Sequence, residues 1–151
     1  MISIVRTNSE NEDFRALVTL LDGELQIRDG EEHHFYAQFN KIDNLREVVV
    51  AYFEEIAIGC GAIKAYTERT VEVKRMFVKA ENRGKGVAGK ILGELETWAN
   101  ELNFDECILE TGFKQPEAIA LYKKSGYEVI HNYGQYVGVD NSLCMKKRIQ
   151  I

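Results

Sequence analysis

Apolar residues recur at two different spacings along the chain, and the changes of period mark its elements. Ile2 to Val5 predict a short strand. Ser9-x-x-Glu12 has the form of a capping box, and Phe14, Leu17, Val18, Leu21 and Leu25 then follow helical spacing. A second, shorter helix is expected around Glu32 to Phe39. Val48 to Phe53 and Ile56 to Tyr66 are apolar, β-rich runs on either side of a short acidic turn, which predicts a hairpin. Val71 to Val78 predict a third strand, with polar residues at Glu72 and Lys74. A glycine-rich turn follows, and Val87, Ala88, Ile91, Leu92, Leu95, Trp98, Ala99 and Leu102 then form one wide apolar stripe of a long helix. Cys107 to Leu109 predict a short buried strand. Gln115-Pro116 opens another helix, with Lys123 and Lys124 in its last turn and Gly126 as its stop. Tyr127 to Ile130 and Leu143 to Met145 predict two closing strands. This order predicts an α+β domain with a mixed, mostly antiparallel sheet flanked by helices. A right-handed crossover from strand 71–78 to strand 106–110 should make one central parallel pair.

Composition narrows the function classes. No repeat or linker interrupts the 151 residues, so a single domain over 1–151 is expected. A chain of this length buries roughly two thirds of its unfolded surface and needs neither metal nor disulfide to hold a core. No apolar run approaches the roughly 20 residues of a membrane span, and no leader follows Met1. Cys60, Cys107 and Cys144 lie far apart in apolar runs, which predicts free buried thiols in a reducing cytoplasm. The net charge of −5 argues against nucleic acid as a partner. That charge is unevenly spread. Acids crowd Glu10 to Glu32, whereas Lys74, Arg75, Lys79, Arg83, Lys85 and Lys90 face only Glu81 between positions 74 and 90. One basic segment in an acidic chain fits a small anion better than a polyanion.

The run Arg83-Gly84-Lys85-Gly86-Val87-Ala88-Gly89-Lys90 fits three anion-binding patterns. It matches a dinucleotide fingerprint (Gly84, Gly86, Gly89), most of a P-loop (Gly84, Gly89, Lys90), and the [Gln/Arg]-x-x-Gly-x-[Gly/Ala] signature of acetyl-CoA binding (Arg83, Gly86, Ala88). All three bring backbone N–H groups and a helix N-terminus to a pyrophosphate. Ile91 stands where a P-loop needs Ser or Thr, and five residues separate strand from first glycine, against the first two readings. A helix start that merely contains glycines fits poorly, because Arg83, Lys85 and Lys90 would sit at a positive dipole end with nothing to offset them.

These residues, with Glu72-Val73-Lys74-Arg75-Met76-Phe77-Val78 before them, resemble the GCN5-related N-acetyltransferases, the GNAT family. So does Leu109-Glu110-Thr111-Gly112 followed by Ala118-Ile119-Ala120-Leu121-Tyr122-Lys123-Lys124-Ser125-Gly126-Tyr127, which fits the family's A-x-x-L-Y-x-x-x-G-[FY] pattern without gaps. The resemblance implies direct acetyl transfer from acetyl-CoA to an amine, with no metal. It implies that the backbone of Met76, Phe77 and Val78 pairs with pantetheine. Amides from Gly84 through Lys85, Gly86, Val87 and Ala88 to Gly89 would hold the pyrophosphate, with Arg83 and Lys85 adding charge. The parallel strands would splay beyond Val78 and Leu109. Tyr122 takes the position of the family's general acid, against the plainer reading of a packing aromatic.

The resemblance puts Glu72 in the register where several members place a general base; the plainer reading is a surface carboxylate, solvated or paired with lysine, and its side chain is expected to share a face with Lys74, Met76 and Val78. Glu110 and Thr111 suit substrate contact or structural hydrogen bonding. His33, His34, Tyr133 and Tyr136 are candidates for the acceptor pocket. Where many members carry Asn before the Ala-x-x-Leu-Tyr run, this chain has Gln115-Pro116-Glu117. The acceptor expected is a small-molecule amine or amino-acid-like molecule; homodimerisation is common in the family. A non-catalytic CoA-binding sensor and a small NTPase are the competing classes.

Overall fold

In the computed structural model, which describes residues 1–29 and 45–149, a seven-stranded sheet carries helices on both faces. The strands are β1 (Ile2–Thr7), β2 (Glu47–Phe53), β3 (Ile56–Ala65), β4 (Thr70–Val78), β5 (Glu106–Gly112), β6 (Glu128–Ile130) and β7 (Ser142–Arg148). The helices are α1 (Glu12–Asp29), α2 (Val87–Glu101) and α3 (Pro116–Lys124). The spatial order is β1-β2-β3-β4-β5-β7-β6, and only β4 and β5 run parallel. The expected α+β architecture with one central parallel pair is therefore present. The helix expected around Glu32 to Phe39 lies outside the described residues.

Two apolar layers hold the sheet. On one face, Phe14, Leu17, Val18 and Leu21 of α1 pack on Val48, Val50, Cys60, Ala62 and Phe77. On the other, Val87, Ile91, Leu92, Leu95 and Ala99 of α2 pack on Val49, Ala51, Ile63, Val71, Val73 and Val78. Tyr122 of α3 joins this second layer. Leu102, the last residue of the expected stripe, caps α2 and is exposed. All three cysteines are free and buried. Burial pushes the Cys60 thiol up to about 12 and that of Cys144 up to about 11, so neither is a reactive thiolate near neutrality.

Local signals behave as expected at α3, where Pro116 occupies the first turn and Gly126, at φ 99°, ends the helix. They differ at α1. Asn11, not Ser9, caps this helix: the Phe14 N–H donates to Asn11 Oδ1 at 2.9 Å. Ser9 is buried, and its N–H donates to the Leu45 carbonyl at 2.9 Å. The helix thus begins at Glu12, two residues later than a cap at Ser9 would start it.

The larger departure is a bulge in β4. Cys60 pairs with Phe77 and Ala62 with Lys74, so two steps on β3 face three on β4. Arg75 absorbs the extra residue with φ at 60°. Strand alternation reverses there. Lys74 lies opposite Ala62 of the α1-side layer, and Phe77 joins that layer, whereas Met76 and Val78 pack on the α2 side. The expectation that Glu72, Lys74, Met76 and Val78 share one face is overturned at Met76 and Val78.

α2 approaches the bulged strand closely because β3 carries glycine at positions 59 and 61 beneath it. A Cβ at Gly61 would stand 2.6 Å from Met76 Sδ, 2.9 Å from Ile91 Cγ2 and 3.0 Å from Leu95 Cδ1. Gly61→Ala should therefore push α2 outward and cost about 1–3 kcal/mol, as overpacking does. Denaturant unfolding measures this; an unchanged midpoint would show that Met76 and α2 yield freely.

Candidate active site

β4 and β5 pair only at Thr70 with Glu106, Val71 with Cys107 and Glu72 with Ile108. They then part. The separation begins after Glu72 and Ile108, earlier than the Val78 and Leu109 expected. β5 stays paired with β7 from Glu106 to Gly112, and β4 pairs with β3 up to Val78. The gap is thus bounded by two inner strand edges with no ladder between them. It opens at the carboxyl ends of both strands, where α/β sheets commonly receive ligands.

A cavity of about 110 Å³ occupies the gap. α1 contributes Leu21 and Leu25; β4 contributes Glu72, Lys74, Arg75 and Met76. Glu110 and Thr111 of β5 line the opposite wall, with Gln115, Tyr122 and Tyr136. Because the gap passes through the sheet, residues from both faces reach it.

Its charges are buried and held. Glu72 is 8% exposed. Tyr133 donates its hydroxyl to Glu72 Oε2 at 2.6 Å, and Lys74 Nζ lies 3.6 Å from Oε1. Desolvation lowers the Lys74 ammonium below its usual range, and the Glu72 charge opposes that shift. Ser142 Oγ donates to Glu110 Oε2 at 2.7 Å. Burial raises the Tyr122 phenol above its ordinary value, with the Glu110 charge adding to it. Burial, then Glu72, does the same to Tyr133. Both phenols therefore remain protonated donors at neutral pH.

Beyond Val78 the chain makes one short 3₁₀ turn, Ala80–Asn82, and then the glycine segment. Gly84 and Gly86 have φ of 79° and 81°, a region open to glycine at little cost. Gly86 stands at the N-cap of α2 with no capping side chain, and no acid occupies the first turn. The Lys90 N–H already donates to the Gly86 carbonyl at 3.2 Å. The preceding amides at Val87, Ala88 and Gly89 are the helix's own unsatisfied donors. Beyond the adjoining backbone, no heavy atom of the described residues lies within 4 Å of a Cβ built at Gly84, Gly86 or Gly89, so the turn offers an open, positively polarised cradle.

The structure brings Glu72, Met76 and Tyr122 to one cavity, together with Glu110, Thr111 and Tyr136. Phe77 points away into the α1-side layer, and Val78 and Val87 are core residues. Gly84, Lys85, Gly86 and Gly89 are exposed, and Ala88 is half-buried. Arg83 is engaged elsewhere. Its Nη2 donates to both Glu24 oxygens at 2.8 and 2.9 Å, its Nε to the Val78 carbonyl at 2.8 Å, and its guanidinium lies over the Phe77 ring. His33 and His34 lie outside the described residues. Sequence reasoning missed the Tyr133–Glu72 bond and the walls supplied by Leu21, Leu25 and Arg75. Only the helical spacing of Leu21 and Leu25 hinted at any of these.

This geometry can be set against known proteins. The model of the Acetyltransferase (GNAT) family matches residues 11–127. An IAA acetyltransferase of Azospirillum brasilense is 38% identical over 100 residues, which cover 66% of this chain and 65% of that protein. The match thus spans just under two thirds of that relative's length. Among solved structures, a Klebsiella pneumoniae protein assigned as an acyl-CoA N-acyltransferase is similar with a TM-score of 0.84 and 26% identity, covering 99% of both chains. The PaiA N-acetyltransferase of Thermoplasma acidophilum, solved with coenzyme A, shares the fold with a TM-score of 0.73 at 18% identity, over 98% of this chain and 99% of that one. With its parted parallel strands, its glycine turn and a family match over most of its length, the chain belongs to the GNAT acetyltransferase family.

Proposed function

We propose that residues 1–151 form a single N-acetyltransferase domain that moves an acetyl group from acetyl-CoA to the amine of a small-molecule or amino-acid-like acceptor. The observation that carries this reading is the convergence of Glu72 and Tyr122 on one cavity between β4 and β5. A CoA-binding sensor would need the glycine cradle but not these two groups. Free buried thiols fit a reducing cytoplasm as its setting.

The residues present suit acetyl-CoA. The unladdered edge of β4 through Met76, Phe77 and Val78 would take pantetheine as an added strand. The cradle from Gly84 to Gly89, with Lys85, would take the pyrophosphate. When bound, acetyl-CoA supplies an electrophilic thioester carbonyl. Glu72, steadied by the Tyr133 hydroxyl, accepts a proton from the acceptor ammonium and frees its lone pair. With acetyl-CoA bound, the C–N bond would form as the C–S bond broke, the electron pair leaving on sulfur and the remaining excess proton of the nitrogen passing to solvent. Tyr122 would offer its hydroxyl to that sulfur, by a hydrogen bond to developing charge or by a full proton transfer that solvent then makes good.

The reading as a whole is tested by calorimetry with acetyl-CoA and by release of CoA thiol with amines, amino acids, aminoglycosides and peptides. Gly86→Val forces a β-branched residue to positive φ and displaces the amides of α2. Acetyl-CoA affinity should fall at least about tenfold, the equivalent of one good hydrogen bond, while the Ile91–Leu95 core keeps the fold. Unchanged affinity would move the pyrophosphate elsewhere.

Tyr122→Phe keeps the edge-to-face contact with Tyr127 and removes only the hydroxyl. Turnover should drop about 10²-fold with acetyl-CoA affinity intact, the range of a general acid. Equal turnover with chemistry rate-limiting would leave Tyr122 as packing.

Glu72→Gln should slow turnover most at low pH, where the acceptor is an ammonium. The deficit should shrink as rising pH deprotonates the amine unaided. A pH–rate profile parallel to wild type would remove Glu72 from proton transfer.

A further inference from the structure

Arg75 lines the cavity but has no part in the proton transfers above. Its side chain is 6% exposed, and Nη1 donates to Asp22 Oδ1 at 2.7 Å. Its Nε is buried without an acceptor among the described residues. A charged donor left so bears its loss of hydration with no hydrogen bond to offset it. The backbone also departs from the strand at this residue, into the left-handed region that non-glycine residues seldom adopt. Two unfavourable features thus coincide at one residue in the wall of the cavity.

Asp22 occupies only the Nη1 corner and is half exposed. The adjacent Nε–Nη2 edge is the side of a guanidinium that takes two carboxylate oxygens in parallel. The cavity's own carboxylates are committed elsewhere: Tyr133 and Lys74 hold Glu72, and Ser142 holds Glu110. We infer that the acceptor brings the missing carboxylate, seated on the Nε–Nη2 edge of Arg75 with its amine toward Glu72, so that the substrates are amino acids rather than simple amines. This inference rests on the acetyltransferase reading. It accounts for a cavity that carries both signs of charge, Glu72 and Glu110 against Lys74 and Arg75, because a zwitterion needs both.

The test uses matched sets of acceptors: each amino acid, its carboxamide and its decarboxylated amine. CoA thiol release gives kcat and KM, and calorimetry gives acetyl-CoA affinity in parallel. The amino acid should exceed both analogues at least about tenfold in kcat/KM, the scale of a charge-assisted bidentate contact. Arg75→Gln should raise KM for the amino acid by a similar factor and level the set, with acetyl-CoA affinity retained. Arg75→Lys, which keeps charge without the fork, should recover only part of the preference. If Arg75→Gln fails to fold, the wild-type comparison decides alone.

Equal kcat/KM across a set overturns the inference. So does a preference that survives in folded Arg75→Gln, or a panel in which no amino acid is acetylated although acetyl-CoA binds. A protein that binds no acetyl-CoA overturns the acetyltransferase reading itself and the inference with it.

Discussion

Everything at this site depends on two parallel strands that pair for three residues and then separate. Backbone N–H and C=O groups on the inner edges of β4 and β5 lose their natural partners there, and buried peptide groups do not stay unpaired without a cost. What holds the gap open is visible on either side. β5 is fixed along its full length by β7, and β4 by β3, so neither can swing across. The bulge at Arg75 bends β4 and turns Phe77 down into the α1 layer, anchoring the strand after the bend. Gly61 lets Met76 and α2 settle against the bent strand. The gap is a stable product of packing on both faces, and it places the start of α2 at the open end.

Charge in the cavity follows from the same geometry. Burying Glu72, Lys74 and Arg75 beside Leu21, Leu25 and Met76 carries a desolvation penalty that only close partners offset. Glu72 takes Tyr133 from the segment between β6 and β7, Arg75 takes Asp22 from α1, and across the gap Glu110 takes Ser142 from β7. Each bond ties a side chain beside the gap to a different part of the fold. The result is a rigid polar wall in an apolar setting, where electrostatic interactions are stronger than in water.

The elements themselves were largely legible. Apolar runs and periodicity located the seven strands with α1 and α2, Pro116 and Gly126 marked α3, and the sequence runs around Gly84 and Tyr122 pointed to the two sides of one site. Three features were not legible, each for a physical reason. No glycine, proline or asparagine marks the bulge at Arg75, so alternation alone put Met76 with Glu72. Asn11 and Ser9 are both good caps, and the local pattern does not show that Ser9 is tied instead to Leu45, 36 positions away. The bond from Tyr133 to Glu72 spans 61 positions, and nothing in either local sequence announces it.

Arg83 shows how a motif residue can be redirected by its surroundings. Its ion pair with Glu24 runs from Nη2 alone to both carboxylate oxygens and is partly exposed, which makes it modest in energy. Its geometric effect is larger. With Nε on the Val78 carbonyl and its face over Phe77, Arg83 staples the end of β4 to α1. The same turn of α1 carries Leu21, Asp22 and Leu25, which reach the cavity and Arg75. These positions fall three and four residues apart on one helical face. One turn of α1 therefore touches both the acceptor side of the gap and the strand end that leads into the glycine cradle. In the proposed reaction the phosphate charge must then fall to the amides from Gly84 to Gly89 and to Lys85. Arg83 contributes by holding the chain that presents them.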